Sequence, residues 1–376
     1  MSKLLELFNE AKPLIELQVS FATFRVTSGL WKNRFLITMS MIITLLGMFL
    51  MSKHLIAAFD GEINMNILIS AIACIAFSQY PLKSFFRMVK RKTFYKFLEE
   101  TEESYRDQED DKELNKICEK HLGNSSKIWK LLSIWIIRIF IVCTLLACLN
   151  FRFSKQIGLI MDWSFLPEDW IFWNEIPYIL EFLIILTAAI SGVIADMTTF
   201  FIGLEIMASL DILTDYIKLL NEKIKTDPAF FKTILKRHCK VIDNINLLNE
   251  AVSEVCFIQM IISTLVLLMM FVLIRKETLE ISGYTSCLCV ISQIFPLCVF
   301  GEMIKIKSEK LSEAFYEVNW YDLSLKDQKI FLIILGMAQR QYGLKAAGMY
   351  NVDIYTFIQI VKVAVSYCAI LYTLSK

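Results

Sequence analysis

Seven stretches of about twenty mostly apolar residues limit what this 376-residue chain can fold into. A helix of about twenty residues is roughly 30 Å long, which matches the hydrocarbon thickness of a bilayer. Hydrophobic residues make up 56% of the chain, more than a soluble domain usually carries. The sequence therefore predicts an all-α, polytopic membrane protein with seven transmembrane helices. The predicted spans are 35–52, 63–82, 131–151, 176–204, 255–274, 281–301 and 354–374.

Positive charge is concentrated in alternate segments between these spans. Of the 39 Lys and Arg residues, 31 lie before residue 35 or in segments 83–130, 205–254 and 302–353, which all fall on one side of a seven-span topology. Segments rich in Lys and Arg stay in the cytoplasm. We therefore expect a cytoplasmic N-terminus and an extracellular C-terminus, the opposite of a seven-helix G-protein-coupled receptor.

The three long segments on that side, 83–130, 205–254 and 302–353, carry helical patterning of their own. Because their apolar faces must be buried, we expect them to pack either in a layer between subunits or in a bundle within one subunit. The chain has no internal repeat and no low-complexity linker. The sequence thus predicts one domain, residues 1–376, in which these segments are cytoplasmic helical extensions.

Four charged residues lie inside the predicted spans: Arg138 in the third, Glu181 and Asp196 in the fourth, and Lys362 in the seventh. A charge in hydrocarbon is costly unless it faces protein, water or a partner, so these helices should face inward. We hypothesise that Arg138 pairs with Asp196 or with Glu181. Buried charges also occur in secondary transporters, which are an alternative, although the chain lacks matched Gly- or Pro-broken half-helices.

The motifs of common enzyme and cofactor chemistry do not occur in the sequence. The three histidines, His54, His121 and His238, are too far apart for a recognised metal motif, and there is no glycine-rich phosphate loop or Gly-x-Ser-x-Gly elbow. The ten cysteines fall mostly in apolar spans, as small buried side chains do. The basic residues are dispersed over several segments. We therefore expect no enzyme activity, no cofactor, no metal and no nucleic-acid partner.

A family pattern runs through the chain and is strongest after residue 300. Ser28-Gly29-Leu30-Trp31 precedes the first span, and Ala195-Asp196 with Phe200 lies in the fourth. With the C-terminal residues given below, these motifs make the chain resemble the insect odorant receptors. Gln341 departs from the family, which commonly has Pro there, and a gustatory-type channel is an alternative although its C-terminal motif is missing. The C-terminal residues are Gly301-Glu302, Ser308-Glu309, Ala314-Phe315-Tyr316, Trp320-Tyr321-Asp322, Lys329, Ala338-Gln339, Leu344, Ala347-Gly348, Phe357 and Ser366-Tyr367.

The resemblance implies a ligand-gated, non-selective cation channel of the plasma membrane in sensory-neuron dendrites. Four subunits would surround one pore, and co-receptor subunits would complete a heterotetramer in membrane lipid. The segment before the fifth span is too short to hold the large insertion of the co-receptor branch, so the chain resembles a ligand-tuning subunit. Its ligand would be a small volatile organic molecule bound within the helices of one subunit.

The seventh span is the predicted pore wall. Helical spacing puts six of its residues on one stripe, and the resemblance implies that Ile370 is a hydrophobic gate with Thr373 just outside it. Lys362 would face an aqueous vestibule. Ordinary packing between helices is the alternative explanation of the stripe. The predicted pore residues are Lys362, Val363, Ser366, Tyr367, Ile370, Thr373 and Leu374.

The resemblance also implies a ligand pocket in the outer half of the bundle, among spans two, three, four and six. Helical spacing selects mostly small or apolar residues there, which suits a volatile ligand held by burial. Each of these residues could instead be ordinary core. The predicted ligand-binding residues are Ile69, Ile72, Ala73, Phe140, Cys143, Thr144, Ala147, Ile185, Ala188, Ser191, Tyr284, Cys287 and Ile291.

Overall fold

The computed structural model describes residues 3–24, 31–57, 59, 65–107, 111–153, 161, 176–227, 229–275 and 281–373. These residues form helices and one small hairpin. The helices are α1 (Lys3–Thr23), α2 (Trp31–Ala57), α3 (Met65–Val89), α4 (Arg91–Arg106), α5 (Lys112–Phe153), α6 (Ile176–Lys223), α7 (Phe230–Arg275), α8 (Ile281–Tyr316), α9 (Leu325–Ala338) and α10 (Ile354–Thr373). The hairpin strands are β1 (Lys345–Ala346) and β2 (Tyr350–Asn351), and a 3-10 turn covers Trp320–Asp322.

The predicted all-α fold is confirmed, and the described residues of the predicted spans lie in α2, α3, α5, α6, α7, α8 and α10. Within the described residues, five helices are by length and composition able to cross a membrane. Several helices are much longer than a bilayer requires. Helix α6 has 48 residues, a length of roughly 70 Å, so it must continue well beyond a hydrocarbon layer of about 30 Å.

Side chains on the outer surface of the spanning helices are apolar and exposed. Phe35 and Phe49 on α2 are 61% and 65% exposed, and Trp135 on α5 is 54% exposed. A water-soluble protein would bury such side chains, whereas lipid solvates them. This surface therefore fits a hydrocarbon environment.

The largest hydrophobic cluster lies mainly where the helices extend beyond the spans. It joins α1 and α4 to the N-terminal part of α5, the C-terminal part of α6, the N-terminal part of α7, the end of α8, and α9. The extensions thus pack against one another within this chain. Side chains that are almost fully buried there include Phe94, Trp129, Tyr216, Ile234 and Phe331.

A buried carboxylate ties three of these helices together. The hydroxyl groups of Tyr105 on α4 and Ser125 on α5 donate to Glu205 Oε1 on α6 at 3.0 and 2.8 Å. Burial and the adjacent Glu205 carboxylate raise the pKa of Tyr105 well above its ordinary value, so its hydroxyl stays a proton donor at physiological pH. This polar contact fixes how α4, α5 and α6 meet inside an otherwise apolar layer.

Candidate functional site

Helix α10, which contains the predicted pore stripe, has one packed face and one open face. Ala364 is fully buried and clusters with Leu267 of α7 and Cys287 of α8. Ile360 packs against the same cluster, and the Phe357 ring lies 5.3 Å from Phe295 of α8. Small and apolar residues at helical spacing therefore attach this side of α10 to its own chain.

The predicted pore stripe lies on the open face. Val363 is 53% exposed and Ile370 is 56% exposed. Polar groups share this surface: Lys362, Ser366 and Thr373 are exposed as well. Tyr367 is also exposed, at 38%, whereas Leu374 lies outside the described residues. Every described residue of the stripe is thus available to line a shared cavity, and their role in a pore stays a prediction.

A hairpin positions the start of α10, and helix α7 holds the hairpin through two polar side chains. The Asn249 side chain accepts from the Lys345 backbone N–H at 2.8 Å and donates to the Gly343 carbonyl oxygen at 3.0 Å. Ser253 accepts from the Gly348 N–H at 2.7 Å through its hydroxyl. Both Ala347 and Gly348 have positive φ angles, 49° and 71°, so the chain reverses tightly there.

The hairpin leads directly into the N-terminal cap of α10. The Asp353 carboxylate accepts from the Thr356 backbone N–H at 2.8 Å and from its hydroxyl at 2.9 Å. Asp353 is 7% exposed, and Lys305 of α8 lies 3.9 Å away. This cap sets both the first turn of α10 and its direction relative to α8. Because Thr356 belongs to α10 itself, an Asp directly before the apolar run was the available sequence signal, whereas the contact with Lys305 was not visible in the sequence.

The predicted ligand-binding residues divide among several clusters. Ile72 is buried against Ile262 and Val266 of α7, and Ile69 packs beside it. Ala73, one residue further along α3, instead faces a cluster built by α2 and α6. Ile185 packs in that second cluster, whose buried members are Leu50, Met51, Met161 and Ile184.

The predicted residues on α8 lie beside α10. Cys287 is buried together with Ala364, and Ile291 packs against the same cluster. Hence these two residues link the predicted pocket directly to the predicted pore helix. The side chain of Tyr284 lies outside the described residues.

The remaining predicted pocket residues are on α5 and α6. Ala188 and Ser191 of α6 are buried, 8% and 2% exposed. On α5, Cys143 is exposed, Phe140 is half-buried, and the Thr144 hydroxyl donates to the Phe140 carbonyl at 2.8 Å. The Ala147 side chain lies outside the described residues. The described part of the structure thus does not gather all of these residues around one cavity, and their role in binding stays a prediction.

The partners of Asp196 differ from the sequence-based hypothesis. Lys83 donates to Asp196 Oδ2 at 3.0 Å, and Arg87 donates to Oδ1, both from the end of α3. Arg138, the partner proposed from the sequence, is exposed on α5. The pairing of Asp196 with Arg138 is therefore wrong, because α3 brings two cations to one side of α6. The position of Lys83 and Arg87 just beyond the second predicted span was the available signal.

The described residues contain no group of His, Cys, Asp and Glu side chains arranged to hold a metal ion. The cysteines whose state the structure describes are free thiols, namely Cys74, Cys118, Cys143, Cys239, Cys256, Cys287 and Cys298. The site consists of the exposed face of α10, which carries both polar and apolar side chains. The β1–β2 hairpin positions this helix, and its opposite face packs on α7 and α8. Such an exposed face suits the wall of a pore.

Comparison with protein families gives one match over most of the chain. The family model described as 7tm Odorant receptor matches residues 62–365. Among curated proteins, Odorant receptor 33b of Drosophila melanogaster is 28% identical over 80 residues, which is 21% of each chain. The Odorant receptor coreceptor of Aedes aegypti is 24% identical over 141 residues, 36% of this chain and 30% of that protein. The chain thus matches less than a third of the length of either relative.

Solved structures share the fold at low sequence identity. The insect olfactory receptor OR5 from Machilis hrabei, in complex with eugenol, superposes with a TM-score of 0.77 at 15% identity. That alignment covers 99% of this chain and 100% of the other. OR5 without the ligand gives a TM-score of 0.73 at 12% identity. The arrangement of helices described above is therefore that of an insect olfactory receptor.

Proposed function

We propose, because this chain belongs to the 7tm odorant receptor family, that it is a ligand-tuning subunit of an odorant-gated cation channel. The observation that carries this proposal is the open face of α10. Its exposed surface mixes Ile370 and Val363 with Lys362, Ser366 and Thr373. A face turned only to lipid would avoid such polar groups, whereas a water-filled conduit accommodates them.

In this proposal, α10 and the final helices of its partner subunits surround a central pore. Ile370 contributes to a constriction that closes the pore, since an apolar constriction excludes water and therefore ions. Thr373 lies one turn further along and offers hydroxyl groups to hydrated cations. The opposite face of α10, with Ala364 at its centre, remains packed on α7 and α8 of the same subunit.

The proposed ligand is a small volatile organic molecule held in the outer half of the helices. Cys287 and Ile291 connect such a ligand to α10, because both pack in the cluster that contains Ala364. A ligand that displaces these side chains shifts α10 and opens the constriction at Ile370. Apolar residues such as Ile72 and Ile185 would select ligands by shape.

The proposed partners are odorant co-receptor subunits in a heterotetramer within the lipid of a sensory-neuron dendrite. The whole chain, residues 1–376, acts as one domain in this proposal, with a cytoplasmic N-terminus and an extracellular C-terminus. Segments 83–130, 205–254 and 302–353 form the cytoplasmic layer. An epitope tag after Lys376 should bind antibody on intact cells, and a requirement for permeabilisation would contradict this orientation.

Co-expression with an odorant co-receptor in oocytes tests the channel function. A panel of volatiles should elicit inward cation currents only when both chains are present. Thr373→Asp should then change the relative permeability to calcium and sodium, because it adds negative charge to the pore wall near the gate. Odorant currents whose ion selectivity is unchanged by Thr373→Asp would place the pore elsewhere. Uptake coupled to an ion gradient, without channel currents, would favour a transporter instead.

A further inference from the structure

The ion cluster around Asp196 carries more positive than negative charge. The side chains of Lys83 and Arg87 are 8% and 1% exposed, and both point to the single carboxylate of Asp196. One full positive charge is therefore left over in a largely buried place. Because an uncompensated buried charge is strongly unfavourable, this arrangement calls for an additional anion.

Hydrogen-bond donors without partners lie at the same place. Among the described residues, Arg87 Nε and Nη1 have no hydrogen-bond acceptor, and neither does the buried hydroxyl of Thr199 on α6. Within the described residues, Arg87 donates to Asp196 only through Nη2. Buried donors normally have acceptors, so three such groups in one location indicate a missing acceptor.

A small cavity of about 30 Å³ lies against these groups. Its lining is mixed. The polar and charged residues are Lys83, Arg87, Asp196, Thr199, Gln259 and Gln293, and the others are Phe200, Val255, Cys256 and Leu297. The volume suits a single small ion or one or two water molecules. It is far too small for an odorant, a phosphate ester or a lipid headgroup.

We propose that this cavity binds one small monovalent anion, chloride under cellular conditions, between Arg87 and Thr199. Chloride would accept from Arg87 Nε, Arg87 Nη1 and the Thr199 hydroxyl, and it would neutralise the leftover charge. Water could accept the same hydrogen bonds but would leave the charge in place. The side chain of Asp196 keeps 33% of its surface exposed, which gives the ion a route to solvent.

The side chain of Gln259, which also lines the cavity, would favour water as the occupant. The Gln259 amide donates to Ser263 at 2.6 Å and to Gln293 at 3.3 Å, and its own oxygen has no donor within the described residues. That oxygen suits water better than an anion. The excess charge outweighs this contact, because a buried full charge interacts more strongly with an anion than a neutral dipole does.

Anion binding here would hold α3, α6 and α7 together at the base of the spans. The full-length chain, purified in lipid nanodiscs, can be unfolded thermally in sodium chloride, sodium bromide or sodium gluconate at constant ionic strength. Chloride and bromide should raise the melting temperature by about 2 °C or more along a saturating curve. Gluconate, which is too large for the cavity, should have no such effect.

Two variants localise the effect. Thr199→Val removes one donor at nearly constant volume and should shift the chloride titration to at least several-fold higher concentration. Arg87→Gln removes the excess charge while Lys83 still pairs with Asp196, so it should abolish the difference between chloride and gluconate. Thr187→Val is the matched control on the same helix, since the Thr187 hydroxyl donates only locally to the Leu183 carbonyl; its titration should equal that of the unmodified chain.

Equal melting temperatures in chloride, bromide and gluconate would overturn the proposal and leave water as the occupant. A halide effect that persists unchanged in Thr199→Val and Arg87→Gln would also overturn it, because the ion would then bind elsewhere. If Arg87→Gln fails to fold, the titrations of the unmodified chain and of Thr199→Val decide the question. None of these measurements requires an odorant or a current, so the outcome is independent of the proposed channel function.

Discussion

The ring of Phe300 on α8 occupies the space that a side chain at Gly203 on α6 would need. A Cβ atom added to Gly203 would collide with three carbon atoms of that ring. Phe300 is itself only 5% exposed and meets Phe200 edge-on at a ring distance of 5.5 Å, so it cannot easily move. The absence of a side chain at Gly203 therefore allows α6 and α8 to approach closely.

Gly203→Ala should lower the free energy of unfolding by about 1–3 kcal/mol, the usual cost of overpacking. Thermal unfolding of the purified chain measures the change. Gly123→Ala is the control, because a Cβ at Gly123 in helix α5 has no neighbour within 4 Å. That control should be neutral or stabilising by up to about 1 kcal/mol. Equal effects of both substitutions would rule out the steric explanation.

Gly301→Ala should disturb the hairpin that positions α10. A Cβ at Gly301 would collide with the backbone oxygen of Val352, which cannot rotate away as a side chain can. We expect lower thermal stability and odorant currents reduced well beyond the loss of surface protein. Surface labelling combined with current recording separates the two. Gly336→Ala in α9, where a Cβ meets nothing within 4 Å, should leave currents unchanged.

Asn249→Ala should loosen the hairpin from α7. The substitution removes an acceptor for the Lys345 N–H and a donor to the Gly343 carbonyl, so about 1–3 kcal/mol of stability should be lost. Asn249→Asp keeps the acceptor but loses the donor, so its stability should lie between that of the unmodified chain and that of Asn249→Ala. Hydrogen exchange should become faster at residues 344–352 and stay unchanged in α4. Uniformly faster exchange would indicate global unfolding instead.

Tyr105→Phe should weaken the junction of α4, α5 and α6. It removes a donor from the buried carboxylate of Glu205 while keeping the aromatic ring, which lies 4.8 Å from Phe8. The expected loss is about 1–3 kcal/mol. In a double-mutant cycle with Glu205→Gln, the coupling energy should be about 0.5–3 kcal/mol. Additive effects would mean that the hydroxyl and the carboxylate do not act together.

Ile370→Ala should produce current in the absence of odorant, because a smaller side chain widens the proposed apolar constriction and lets it hydrate. Val365→Ala is the matched control: Val365 is 55% exposed, nearly the same as Ile370, but it lies off the predicted stripe. It should leave resting current unchanged. Similar resting currents in the unmodified channel and in Ile370→Ala would argue against a gate at this position.

Hydropathy carried the fold prediction because it is a local property of the chain. The described part of each predicted span is helical, and the helix around residue 196 has enough apolar residues to be recognised from its own sequence. On α10 the described residues of the predicted stripe are exposed and Ala364 is buried, but Val365, off the stripe, is exposed as well, so periodicity did not by itself define the open face. The span prediction required no knowledge of which helices are neighbours.

Contacts between helices were harder to predict. Asp196 was one of two carboxylates proposed as the partner of Arg138, yet it meets Lys83 and Arg87, because spacing along one helix does not say which other helix faces it. For the same reason Ile72 and Ala73, adjacent in sequence, pack in different clusters. The hydrogen bond from Asn249 to the Gly343 carbonyl, which attaches the hairpin to α7, joins residues almost one hundred positions apart.

The sequence by itself determined that this chain is a bundle of membrane-spanning helices, because this follows from the order of apolar and polar residues within each segment. Only the tertiary structure decided that Phe300 fills the space beside Gly203, that Arg87 is left with unmatched positive charge, and that a hairpin sets the position of α10. These features depend on distances between segments far apart in the chain, and packing of the whole molecule sets those distances.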